Sequence, residues 1–177
     1  MKHVVKKYYL IILFILVIFL PFTIENCIKH DNVTPKTVYK PVFISRKDLE
    51  KSVSTLQAQP FKSPGKIYIK QPYLFINKPG EGYYVFDNSD PSNPQNIAFI
   101  KAIGSYDIAI KGNTLYFDNA VDLVSAIYNP ATNTITLSSR IKDKFSEPTP
   151  PDNLFVPTEF NNASRRGDSI IINWVKN

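Results

Sequence analysis

Cys27 is the only cysteine among 177 residues, and it stands just beyond an apolar run from Leu10 to Leu20. Lys2, Lys6 and Lys7 precede that run and Pro21 follows it. A basic start followed by an apolar core is the order of an export signal. A cysteine in this place suits thioether acylation. With the new amine acylated as well, several lipid chains would hold the protein stably at a membrane. Two other readings stay open. Counted from Tyr8 to Ile24, the segment nearly reaches the ~20 residues of a spanning helix, and would then be an uncleaved anchor. Simple secretion, with Cys27 a lone thiol, is the third. A single cysteine excludes an intramolecular disulfide and a cysteine-based metal site in the folded part.

Other groups with chemical potential are sparse. His30 is the only histidine outside the leader. It falls in the polar stretch from Ile28 to Lys40, which reads as a tether, so a nucleophile–base pair has no base to draw on. Glycoside hydrolysis needs only two carboxylates, and Glu81, Asp87, Asp90, Asp107, Asp118 and Asp122 are the candidates. Asp at turns and strand ends normally bonds local backbone, which is the simpler reading of all six. The loop Asn88-Ser-Asp-Pro91 offers oxygens to a hard cation, without the spacing of a dedicated calcium loop. Phosphate loops and dinucleotide fingerprints are lacking. No catalytic residue, metal ligand or cofactor is therefore expected.

The elements that would position such groups come as one unit written twice. Lys66-Ile-Tyr-Ile-Lys-Gln-Pro-Tyr-Leu-Phe-Ile-Asn77 is matched by Asp107-Ile-Ala-Ile-Lys-Gly-Asn-Thr-Leu-Tyr-Phe-Asp118. Leu74 answers Leu115, and Ile97-Ala-Phe99 answers Ile135-Thr-Leu137. The period is roughly 40 residues, that of a four-stranded propeller blade. In copy one, strands are expected over 67–70, 74–77, 83–87 and 96–101; in copy two, over 108–111, 115–118, 122–128 and 134–141. Gly112-Asn113 is a two-residue hairpin signal. Leu74-Phe-Ile76, Tyr84-Val-Phe86 and Leu115-Tyr-Phe117 are apolar without alternation, so they must be covered on both faces. Face-to-face stacking of the two sheets supplies that cover.

Five segments result: a signal or membrane anchor, 1–26; a tether and short helix, 27–64; two blades, 65–104 and 105–144; and a Pro-rich loop with a C-terminal strand, 145–177. Ser45-Arg-Lys-Asp48 has the pattern of a helix start. Leu49, Val53 and Leu56 follow at helical spacing, so a helix over 45–56 is expected to pack on the first strands or cover an edge. Ser169 to Val175 is a strand by propensity, expected to add to one blade. The fold class is all-β: two propeller-like four-stranded antiparallel blades after a signal helix and one short helix.

The segments Gly65-Lys-Ile-Tyr-Ile69, Tyr73-Leu-Phe-Ile-Asn77, Val85-Phe-Asp-Asn-Ser-Asp-Pro-Ser-Asn-Pro94, Asp107 to Tyr116 and Asp122-Leu-Val124 resemble the LVIVD-repeat family of bacterial envelope lipoproteins. Cys27-Ile-Lys29 and Tyr39 to Glu50 resemble the leader region of such proteins. The resemblance covers about Cys27 to Phe145 and marks the chain as a short member. It implies propeller-like repeats, a lipid on Cys27 and an outer-membrane or cell-surface location, and it implies no reaction.

The formal charge of +6 is scattered, with Lys2, Lys6 and Lys7 contributing half of it. No basic cluster interleaves with aromatics, so nucleic acid is not an expected partner. The expected function is a non-enzymatic, membrane-anchored lipoprotein that presents a β-repeat binding or scaffold domain. It would meet a protein or glycan partner, or a second copy of itself, on an open blade face. The rivals are a carboxylate-based enzyme acting on envelope glycans and a shortened relative without independent function. Replacing Cys27 with Ser is expected to release the chain from the membrane fraction on cell fractionation. Retention in the membrane pellet would identify an uncleaved helix as the anchor.

Overall fold

Strands carry most of the order in the computed structural model, which describes residues 36–177 apart from 162–164 and 166. The description below concerns the unit Pro35–Asn177. Cys27, His30 and the apolar run over 10–20, on which the export-signal, anchor and lipid-attachment expectations rest, lie outside the described residues.

The first repeat folds as a meander of β3 (Ile67–Lys70), β4 (Tyr73–Lys78), β5 (Gly82–Asp87) and β6 (Gln95–Lys101). The second is β7 (Ile108–Lys111), β8 (Thr114–Asn119), β9 (Asp122–Asn129) and β10 (Thr134–Ile141). All eight lie where the periodicity places them, within two residues. The turns use the residues the backbone requires. Gly112 has φ +58°, as the β7–β8 hairpin demands. Gly82, at φ +141°, opens β5 so close to β6 that a Cβ there would stand 2.0 Å from the Ile100 carbonyl oxygen.

The expected helix over 45–56 is shorter than its apolar spacing suggests. Ser45 caps α1 (Arg46–Glu50) by accepting from the Asp48 backbone N–H, and the helix ends at Lys51. Leu49 is fully buried as expected. Beyond it the chain extends, and β2 (Ser54–Gln57) pairs antiparallel with β6, Ser54 opposite Lys101. Ser54 and Thr55 favour extended backbone locally, and the unpaired edge of β6 supplies the hydrogen bonds. The first sheet therefore has five strands, in order β2-β6-β5-β4-β3, instead of four; the second has four, β10-β9-β8-β7. Neither closes on itself.

A second difference concerns the ends of the unit. Tyr39–Ser45, assigned to the tether-and-helix segment, is strand β1, and it pairs antiparallel with β11 (Ser169–Lys176). The C-terminal strand thus joins neither repeat sheet but makes a separate two-stranded ribbon. Ile44 and Ile170 bring that ribbon against Leu49 and Val121 in a small apolar cluster.

The two repeat sheets pack face to face. Phe75, Tyr83, Val85 and Ile100 of the first meet Ile108, Leu115, Phe117 and Val124 of the second in the largest core cluster. Tyr83 lies edge-on to Phe117 and Phe75 edge-on to Tyr128, with ring centroids 6.0 and 6.3 Å apart. The other face of the first sheet carries Ile76, Tyr84 and Phe99. There Phe61, from the segment after β2, meets Tyr84 and Phe86 edge-on. The Tyr84 hydroxyl accepts from the Lys62 N–H and donates to the Lys62 carbonyl. A single loop thus covers the second apolar face of β4 and β5, where the sequence suggested that stacking alone would do so. At the far edge Ile67 and Ile69 remain 61% and 69% exposed.

Burial separates the two ends of this arrangement. Phe117→Ala is expected to cost about 3–5 kcal/mol, a large part of a small domain's stability. Ile69→Ala is expected to change it by less than about 0.5 kcal/mol. Urea unfolding of both variants checks the pair, and equal losses would contradict the assignment of core and open edge.

Candidate functional site

Six carboxylates are the candidates that the sequence supplies, and the structure gives each of them local work. Asp87 accepts from the N–H and Oγ of Ser89, and Asp90 from those of Ser92. The hydroxyl bonds, followed by the amide bonds, hold both acids below the ordinary aspartate range. Glu81 pairs with Lys78 at 2.5 Å. These three are turn residues in the sense that the sequence suggests.

Asp122 is fully buried and belongs to a charged cluster at the root of the second sheet. Both its oxygens accept from Arg46 Nη1, at 2.7 and 2.8 Å, and Arg140 Nη1 adds a bond of 2.8 Å. The Asp143 N–H donates a fourth at 3.0 Å. Arg140 also donates to Asn119 Oδ1. One carboxylate thus joins α1, the β8–β9 turn, β10 and the chain after β10. Burial pushes the Asp122 acid up, but the hydrogen bonds from Arg46 and Arg140 outweigh it, and the group sits below its ordinary value.

Asp107 and Asp118 are the two candidates that the fold brings to one place. Asp118 Oδ1 accepts from Ser105 Oγ at 3.0 Å and from the Asp107 N–H at 3.0 Å. The Tyr106 N–H is shared between both its oxygens at 2.9 Å. Asp107 accepts from Lys66 Nζ at 2.6 Å, from the Tyr68 hydroxyl and from the Ile108 N–H. The bonds from Lys66 and Tyr68 hold Asp107 below its ordinary range. Burial first, then the bond to Asp107, pushes the Tyr68 hydroxyl up to about 12, so it stays a donor. Burial likewise pushes the Tyr83 hydroxyl up; that group contacts Ser105 Oγ and donates to the Asp107 carbonyl. Tyr68, Tyr83 and Ser105 thereby fix the turn that presents Tyr106 and Asp107.

Both carboxylates line a groove of about 560 Å³ on the outer face of the second sheet. Tyr116 and Leu123 form its floor, Tyr106 one wall, and Phe145, Pro148 and Ile172 the other. The second wall is tied down firmly. The Phe145 N–H donates to the Val121 carbonyl, Trp174 Nε1 donates to the Pro148 carbonyl, and Arg165 holds Glu147 through two bonds of 2.7 and 2.8 Å. Tyr106, Tyr116 and Phe145 are 48%, 37% and 44% exposed. No lysine or arginine lines the groove. Its size suits a ligand or an inserted side-chain cluster.

Tyr106, Tyr116, Leu123 and Phe145 carry no chemical motif, so residue types alone do not single them out. A signal does lie in the repeat. Pairing of Leu74 with Phe86 and Ile76 with Tyr84 corresponds to that of Leu115 with Ala126 and Phe117 with Val124. Phe75, Tyr83 and Val85, all core residues, then correspond to Tyr116, Leu123 and Ser125 on the outer face. Comparing the copies position by position finds the face where the second departs from the first.

Among the described residues no cluster of three or more His, Cys, Asp or Glu could hold a metal ion, and no helix is long and apolar enough to cross a membrane. No family model, curated protein or solved structure matches the chain.

Asp122 is the group whose ionisation should be felt in stability. Its depressed acid means that stabilisation is complete above the unfolded value of about 3.9 and is lost as pH falls through the folded value. Asp122→Asn is expected to cost about 3–5 kcal/mol near neutrality by removing the one buried anion between two guanidinium groups. That leaves Arg46 only the exposed Asp143 carboxylate and Arg140 without its ion pair. It should also flatten part of the decline below about pH 4. Urea unfolding from pH 2 to 7 measures both, and an unchanged acid limb would show that the linkage lies elsewhere.

Proposed function

We propose that the chain is a short, non-enzymatic cell-envelope lipoprotein, held at the membrane through Cys27, whose two repeats act as propeller-like blades presenting a binding face. The groove on the outer face of the second sheet carries this reading. It is aromatic, partly exposed, rigidly walled, and lies where a further repeat unit would stack. A repeat buries its flat face against its neighbour, and a face without a neighbour is the natural place for a partner. The resemblance to LVIVD-repeat lipoproteins and the basic–apolar–Cys27 order of the leader support the location.

The rival reading, a carboxylate-based enzyme acting on envelope glycans, draws on Asp107 and Asp118 sharing the groove. General-acid work needs a carboxyl raised towards neutrality. Asp107 is held down by Lys66 and Tyr68, and Asp118 spends its oxygens on the 105–107 turn. Both arrangements favour a fixed binding surface over proton transfer.

A photo-reactive side chain at position 116 of the full-length chain tests the binding face in cells. Irradiation should give a discrete adduct from position 116 and none from position 92, on an exposed loop of the first repeat. No adduct, or equal labelling from both, would refute the reading.

A further inference from the structure

The repeat has a direction, and that direction has two loose ends. Inside the molecule one face of the first sheet, bearing Phe75, Tyr83 and Val85, packs on the opposite face of the second, bearing Ile108, Leu115, Phe117 and Val124. The positions corresponding to that second set in the first repeat are Ile67, Leu74, Ile76 and Tyr84, given the shared sequence and the matched pairings. They line the outer face of the first sheet. Ile108 is 4% exposed, whereas Ile67, its counterpart, is 61% exposed. Ile110 packs against the main core, whereas Ile69, its counterpart, is 69% exposed. At the other end Phe75 is 2% exposed and its counterpart Tyr116 is 37% exposed. Ile76 and Tyr84 are themselves buried on that face, beside Phe61, so what each molecule leaves open is the Ile67–Ile69 edge at one end and Tyr116 at the other, the counterparts of residues that it buries in its middle.

We infer that the partner of the groove is a second copy of this chain, bound head to tail: the Ile67–Ile69 edge of one molecule seats against Tyr116 and Leu123 of the next. Charge is compatible with this pairing. Asp107 and Asp118 line the groove, Asp107 already paired with Lys66, and beside the footprint, towards β2 and β6, Lys62 and Lys101 remain basic while Lys78 is paired with Glu81. Coverage sets the footprint. Phe61 occupies the β5 side of the first sheet and leaves the β3 side open, and the Phe145–Pro148 wall confines the approach on the second sheet to the groove. The two faces differ, so the contact is heterologous, and each added molecule presents a fresh end. Growth past the dimer follows from the geometry, unlike the closed pair that a self-complementary patch would give.

This inference rests on the binding-face reading above, and its test separates the two. Full-length chain in a density-matched non-ionic detergent is sedimented across a dilution series. The parent should show a concentration-dependent ladder extending beyond the dimer. Ile69→Lys removes one end and Tyr116→Lys the other; both sites face solvent, and each variant alone should associate at least about tenfold more weakly. An equimolar mixture of the two retains one good end of each kind and should form a dimer and nothing larger. A monomeric parent, a parent that stops at the dimer, or a mixture that stays monomeric would each overturn the inference. An adduct from position 116 with a different protein would also overturn it, while leaving the binding face in place.

Discussion

The interface between the two repeat sheets is the interaction on which the other contacts depend. Each sheet is a meander of short strands, and neither could bury its apolar side alone. Phe75, Tyr83 and Val85 meet Leu115, Phe117 and Val124 because the second copy presents its other face to the first. This polarity decides which side chains are core and which are surface. It leaves Tyr116 and Leu123 outward where Phe75 and Tyr83 point inward, and so it creates the groove. The same polarity forces the loop after β2 to place Phe61 over Tyr84 and Phe86.

Asp122 is the second organising constraint, of a different kind. A buried carboxylate between Arg46 and Arg140 adds little net stability over an apolar filling. What it fixes is geometry. It sets α1 and the chain after β10 against the β8–β9 turn, and from that point Phe145 and Pro148 are directed along the second sheet. The Glu147–Arg165 pair and the Ile171 N–H on Glu147 Oε1 continue the same line to the ribbon. The aromatic wall of the groove is the end of this chain of polar contacts.

The repeat was legible because its signals are local. Gly112-Asn113, the Pro-Gly and Asn-Ser-Asp-Pro turns and the apolar runs each report on a few neighbouring residues, and all eight strands fall where those signals put them. The misplaced elements depend on distant partners. Tyr39-Lys-Pro-Val-Phe-Ile44 contains a proline that argues against a strand, and its partner β11 lies at the far end of the chain. Ser54–Gln57 is short and polar, and becomes a strand only because β6 has a free edge. Leu49, Val53 and Leu56 do follow helical spacing, yet only Leu49 is buried by a helix. For the site, the carboxylates were visible but the groove was not. Phe145, Pro148 and Ile172 come from segments whose meeting depends on Arg46, Asp122 and Arg165.

The ribbon of β1 and β11 has a mechanical consequence. Tyr39 pairs with Lys176 at its outer end, and the Asn177 N–H donates to the Val38 carbonyl. A pull on the chain that leads into Tyr39 therefore loads the outermost pair first, then Lys40 with Val175, then Pro41 with Trp174. The bonds break in succession and not in parallel, which is the weak direction of an antiparallel pair. Tension entering at Tyr39 would peel this seam one pair at a time, so the ribbon would yield before the core between the repeat sheets.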